Sequence, residues 1–241
     1  DAFGREMDAI RERLLASRGA ADAAYIRKII ALQRKTEVAG RAAIYAGVLF
    51  PPALVAGALT LGVSKILDNM EIGHNIMHGQ WDWMRDPTIH SSTWDWDTAA
   101  PADQWKHSHN VEHHTWTNVV GMDKDVGYGI LRMSEQEPWE PRHLLNPINN
   151  ALLATFFQYG VGVHDTGIAE VRSLKGLKNM SPETKAKLKG VWNKVKKQSL
   201  KDYVVFPALA GPFFAPVLAA NVGAKLTRNL WTYMIIFCGH F

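Results

Sequence analysis

The sequence predicts an all-α protein, an integral membrane helical bundle of about four transmembrane helices under a helical cap on the cytosolic side. Three observations predict it. Residues 42–64 run for 23 positions without a charge and residues 203–224 for 22, and a third uncharged run starts at Asn229 and reaches Phe241. Roughly 20 apolar residues cross a bilayer. Between Arg172 and Lys201 ten Lys/Arg accompany one acid, Glu183. Basic loops beside spans stay cytoplasmic and sit well against anionic headgroups. Seven of the ten histidines (His74, His78, His90, His107, His109, His113 and His114) fall within residues 74–114, at or beyond the ends of the apolar runs. Buried core helices of a soluble protein are the plainer alternative, and several uncharged runs of this length weigh against it.

Residues 1–40 read as amphipathic helices, with charges of both signs and no apolar stretch long enough for a secretory signal, so no cleavable leader is expected. Residues 41–80 read as a helical hairpin, because Pro51-Pro52 interrupts the apolar run and a proline pair breaks a helix. The first helix then extends from about Tyr25 to Phe50, and the second from Ala53 to about Gln80, carrying Glu71, His74 and His78 out of the bilayer. A single span over 42–64 is the alternative. Residues 81–142 are polar, rich in Trp, Asp and His, and form the expected cytosolic cap. Residues 143–202 hold an uncharged stretch with Asn146, Pro147, Asn149, Asn150 and Gln158, expected to lie at the interface, and then the basic loop. Leu188, Val191, Val195 and Leu200 lie at helical spacing beneath the lysines of that loop, which reads as an interfacial helix and not as a nucleic-acid surface. Residues 203–241 are expected to supply the third span, over 203–224, and the start of the fourth, from about 229.

The chemistry lies in two strings. HNIMH at 74–78 sets His74 and His78 four apart, on one helix face with chelating spacing. HNVEHH at 109–114 repeats the spacing with His109 and His113 and adds His114. Neutral imidazoles suit iron, zinc, copper or nickel. Five of them exceed one tetrahedral ion and point to a binuclear centre. Cys238 is the lone cysteine, which excludes a thiolate zinc site, and no HExxH occurs. A carboxylate bundle would use Glu71-Ile-Gly-His74 and Glu140-Pro-Arg-His143, but Pro138, Pro141 and Pro147 interrupt the second and the scheme leaves His109, His113 and His114 unused.

With these strings in their setting, EIGHNIMHGQWDW and WKHSHNVEHHTWTNVVGMDKDVGYG, the chain resembles the membrane fatty acid desaturase family, in its bacterial acyl-lipid or acyl-CoA branch. The resemblance implies four transmembrane helices beneath a cytosolic cap that holds a His-rich di-iron site. His74 and His78 match the first histidine box; His109, His113 and His114 match the second; His240 resembles an extra histidine on the fourth span. Some members carry an asparagine four residues before that histidine, where this chain has Ile236. The third box is absent, so residues 1–241 are expected to be a single desaturase domain lacking its C-terminal part, inactive when expressed alone.

The implied activity is insertion of a double bond into a fatty acyl chain with two iron ions, O₂ and two external electrons. The implied partners are a fatty acyl lipid or acyl-CoA substrate, membrane lipids, and an electron donor of ferredoxin or oxidoreductase type. A fatty acid or alkane hydroxylase uses similar boxes. A non-enzymatic metal transporter would instead place its histidines mid-span. Asp123 and Asp125 resemble the family's acidic pair after the second box and, with Glu112, are candidates to hold ligand imidazoles, as are Asp82, Asp95 and Asp97 more remotely. His107 and His90 are weaker candidates beside the site, and His143 and His164 read as polar boundary residues. Six tryptophans between residues 81 and 116 read as anchors of the cap at the membrane interface.

Overall fold

A computed structural model describes residues 1–168 and 179–240, without the side chain of His240. The first part of the basic loop, Arg172 to Lys178, lies outside the described residues. Every regular element among the described residues is helical. Helix α1 (Ala2–Ser17) starts at Asp1, whose carboxylate accepts a hydrogen bond from Gly4 N at 2.7 Å, and it buries no residue. Helix α2 (Ala20–Ala46) and helix α3 (Pro51–Met77) form an antiparallel pair joined by residues 47–50. Pro51 and Pro52 occupy the first turn of α3, where a helix has no use for the missing N–H. The two backbones approach closely because glycines face each other's helix. A Cβ on Gly57 would stand 2.6 Å from Ile44 N, and one on Gly40 2.8 Å from Leu61 N.

Helix α4 (residues 102–116) carries the second histidine string, and α5 (Asn146–Thr155) and α6 (Phe157–His164) follow, separated at Phe156. Helix α7 (residues 182–208) begins at Ser181, whose hydroxyl accepts from Thr184 N at 3.0 Å, and α8 (Phe214–His240) returns alongside it. Run 203–224 is therefore not one span. It straddles a second hairpin turn at 209–213, where Gly211 takes a left-handed conformation (φ +57) and Pro212 follows. Charge counting located the run and could not see the turn inside it. Tyr45 OH donates to Phe206 O at 2.8 Å, so the two hairpin tips lie side by side. Ile44, Leu61, Val217, Ala220 and Ala224 form the core between them, and Leu49, Phe50, Leu209, Phe213 and Phe214 remain exposed at the tips. Among the described residues one helix, Pro51–Met77, is by itself long and apolar enough to cross a membrane.

A charged layer underlies the tips. Fully buried Asp202 on α7 meets Lys65 of α3 at 3.0 Å, Arg41 of α2 at 3.2 Å and Lys225 of α8 at 3.4 Å. Charges removed from water need partners of opposite sign, and this carboxylate supplies one to three helices at once. Lys65 also bonds Asp97 of the cap at 3.1 Å, and Lys201 reaches the same carboxylate at 2.6 Å. The cap is thus tied to both hairpins. Its own core joins Ile72, Ile76 and Trp81 to Ile26 and Ile30 of α2, with Ile89.

Candidate metal centre

A π-helical segment leads into each histidine string: Leu67–His74 of α3 ends on the first residue of one, and Lys106–His113 of α4 carries His109 and His113 of the other. A π turn inserts a residue into the helical repeat and rotates everything after it by about 100°, which re-aims side chains without breaking the helix. The two helices meet at these segments. His74 and His78 approach with Nε2 atoms 2.8 Å apart, and the His109 ring lies 5.3 Å from His74 and 5.2 Å from His78. His114 completes the group, 4.9 Å from His78 and 4.8 Å from His109 between ring centres. Ring nitrogens of His74, His78 and His109 fall within 4.8 Å of one another, and so do ligand atoms of His109, His113 and Asp125. His109 belongs to both sets.

Carboxylates fix the imidazoles from behind. Asp123 receives His113 Nδ1 at 2.9 Å and also accepts from the backbone N–H groups of Asn118 and Asp125 at 2.8 and 2.9 Å. Asp125 lies 3.5 Å from His109 Nδ1 and 3.2 Å from His164 Nε2. Burial pushes the Asp125 carboxyl up, but hydrogen bonds from His109 and His164 outweigh it and hold the group well below the usual carboxylate range. Burial, reinforced by His109, His114 and His113, pushes His78 down to about 4, so it presents a neutral ring, the form that binds metal. Trp105 stacks on His109 with centres 4.4 Å apart and presents its edge to His74 and His78, and Trp96 packs on Trp105 at 5.0 Å. Nitrogen donors, one carboxylate and a dry aromatic wall fit a transition-metal ion such as iron or zinc.

The structure thus brings His74, His78, His109, His113, His114, Asp123 and Asp125 together. His107 and Glu112 pair with each other at 3.5 Å, and Glu112 with Lys124 at 3.0 Å, instead of holding a clustered imidazole. His90 bonds Ser92, Asp82 accepts from Ser91, and Asp95 and Asp97 face lysines. His143 Nδ1 accepts from Glu140 N, and Glu71 accepts from Tyr25 OH, so neither Glu-x-x-His string forms a ligand pair. The side chain of His240 lies outside the described residues. Trp81, Trp96 and Trp105 are buried, which corrects the expectation that all six clustered tryptophans anchor an interface. Their rings pack the cap and the histidines instead. His164, read from sequence as a boundary residue, is a buried partner of Asp125. No local spacing signals it, because its partner is 39 positions away.

Known proteins bear on this centre. Residues 49–241 match the model of the family described as fatty acid desaturase. The NADPH-dependent stearoyl-CoA 9-desaturase of Mycobacterium tuberculosis is 47% identical over 240 residues, covering 98% of this chain and 55% of that protein. The sn-1 linoleoyl-lipid 6-desaturase of Synechocystis is 30% identical over 98 residues, 39% of this chain and 26% of that protein. The chain spans about half the length of the M. tuberculosis relative. No solved structure matches it. With four-fifths of its residues matching the family model around two facing histidine strings, the chain belongs to the fatty acid desaturase family.

Proposed function

We propose that the whole protein is a membrane desaturase that introduces a double bond into a fatty acyl chain, using O₂, two external electrons and two iron ions. The observation that carries this reading is the pair of ligand sets joined at His109, in a chain of this family. His74, His78, His109, His113 and His114 would hold the irons, with Asp125 in the second set and His240 as a further ligand. When bound, the irons supply the oxidising chemistry that a C–H bond with no acidic proton requires, which no side-chain acid or base provides.

The chain's own residues orient and shield. Asp123 directs the Nδ1 proton of His113 towards itself, which puts the ring's lone pair on Nε2. Asp125, 3.5 Å from His109 Nδ1, shares a ligand set with that ring and with His113. Trp96 and Trp105 wall the histidines and exclude water from the face an alkyl chain would approach. The relative's printed name supports a stearoyl-CoA-like acyl thioester as substrate and an NADPH-dependent oxidoreductase as electron source. Both hairpins would enter the bilayer tips first, with the histidines on the cytoplasmic side and the exposed Ile148 and Leu152 of α5, with Leu145 and Phe156 at its two ends, at the interface.

Gas chromatography of acyl chains, after the full-length protein turns over in membranes with an electron supply, tests the proposal. An alkene product is expected. An alcohol would replace it with a hydroxylase, and bound zinc without iron or product would replace it with a transporter.

A further inference from the structure

Helix α1 buries none of its 16 residues. Phe3, Met7, Ile10 and Leu14 follow one another at steps of four, three and four, which sets them in one line along the helix. All four are open to solvent, at 70%, 44%, 39% and 61%. Arg5, Glu6, Asp8, Arg11, Glu12 and Arg13 lie off that line. Arg18, one residue past the helix, lies over the Trp83 ring at 5.2 Å and holds this end of α1 against the cap.

A helix of this length draws most of its stability from packing an apolar face, and a row of exposed apolar side chains is a patch that a partner covers. A bilayer surface is the poorer cover. Interfacial helices carry an excess of Lys and Arg on the polar face. Residues 1–18 instead carry four arginines against four acids, Asp1, Glu6, Asp8 and Glu12. A second copy of the helix suits the face better, because the face is complementary to itself. Steps of four, three and four are those of a coiled-coil seam. In an antiparallel pair Phe3 meets Leu14 of the second copy and Met7 meets Ile10. Glu6 and Arg13 border the seam on the same side, and antiparallel helices bring like borders together, so Glu6 faces Arg13 of the second copy at both ends. A parallel pair would set Arg13 against Arg18, like charge on like.

We propose that α1 is a self-association surface, through which two copies of the chain pair antiparallel along Phe3, Met7, Ile10 and Leu14, with Glu6–Arg13 ion pairs closing a two-fold interface. A bilayer that holds both chains raises their effective concentration, so a seam of two heptads suffices. Energy transfer between donor- and acceptor-labelled full-length chains in phosphatidylcholine vesicles, read over a dilution series in lipid, tests it. Saturable transfer is expected, and Ile10→Glu should abolish it. Glu6→Arg and Arg13→Glu should each weaken pairing about tenfold, and the two together in one chain should restore it. Because α1 buries nothing, each variant should keep the parent's melting temperature, which separates lost pairing from lost folding. Absence of saturable transfer overturns the proposal, as does transfer indifferent to Ile10→Glu. Tighter pairing of Arg13→Glu would mark a parallel seam and also overturns it. In chains that give no transfer, a bimane on Met7→Cys identifies the true cover: quenching by brominated lipid marks the bilayer, and shielding without quenching marks another part of the same chain.

Discussion

His113 Nδ1 and a carboxylate oxygen of Asp123 stand 2.9 Å apart with both side chains sealed from solvent. That contact sets which nitrogen of His113 carries its proton, and the loop holding Asp123 is fixed in turn by two backbone N–H groups. Asp123→Asn retains the shape and loses the charge. Metal affinity should fall by about 10–100-fold, in line with other partners of ligating histidines. Iron titration followed by elemental analysis measures it, and unchanged occupancy would sink the assignment.

His109 is common to both ligand sets, whereas His74 belongs to one. Removing each therefore gives different stoichiometries. His109→Ala should lower bound iron at both positions, and His74→Ala should spare most of one. Iron per chain, measured on purified full-length variants, separates these outcomes. Equal loss in the two variants contradicts a shared ligand.

Asp165 follows His164 and accepts from Ser108 Oγ at 2.8 Å, with its other oxygen buried and unpaired. Burial, aided by the negative charge of Asp125 and Glu112, raises its carboxyl to about 7. The folded state therefore keeps a proton that the unfolded chain releases near pH 4, and stability declines as pH rises from there towards 7. Asp165→Asn removes that loss. Its melting temperature should exceed the parent's above pH 7 and match it at pH 4. A thermal-shift series over pH 4–8.5 would show a constant offset if burial were not the cause.

Gly57 faces backbone, not a yielding side chain: its missing Cβ would meet Ile44 N at 2.6 Å and Gly40 O at 2.8 Å. Gly57→Ala should force α2 and α3 apart and cost about 1–3 kcal/mol, as overpacking does. Gly223→Ala on α8 is the control, since nothing lies within 4 Å of its added methyl. There the helix should gain up to about 1 kcal/mol. Melting temperatures in detergent should move in opposite directions.

The two histidine strings were legible because i, i+4 spacing survives in a one-dimensional reading. The π segments that aim them were not, since no residue type marks an inserted position. The break at Pro51-Pro52 could be read directly. Its counterpart at Gly211-Pro212 was hidden inside a run defined by missing charge, although the same kind of residues mark it. Lys65, Asp97 and Asp202 give no local sign of meeting, because 32 and 137 positions separate Lys65 from its two acids. Trp105 was misread for a related reason. An aromatic in a polar segment looks like an interface anchor until the imidazoles it covers are placed beside it.

The meeting of Asp202 with Lys65 also sets an order of assembly. During synthesis the first hairpin is complete long before Asp202 leaves the ribosome, so Lys65 and Arg41 initially lack the carboxylate that joins them. Until the second hairpin arrives, Arg41 has only Glu37 of its own helix, and Lys65 faces inward with no acid of its own hairpin, a state that favours water over a packed partner. Docking of the second hairpin quenches them and seats Asp97 in one event. Seating of the histidine-bearing cap is thereby coupled to docking of the second hairpin.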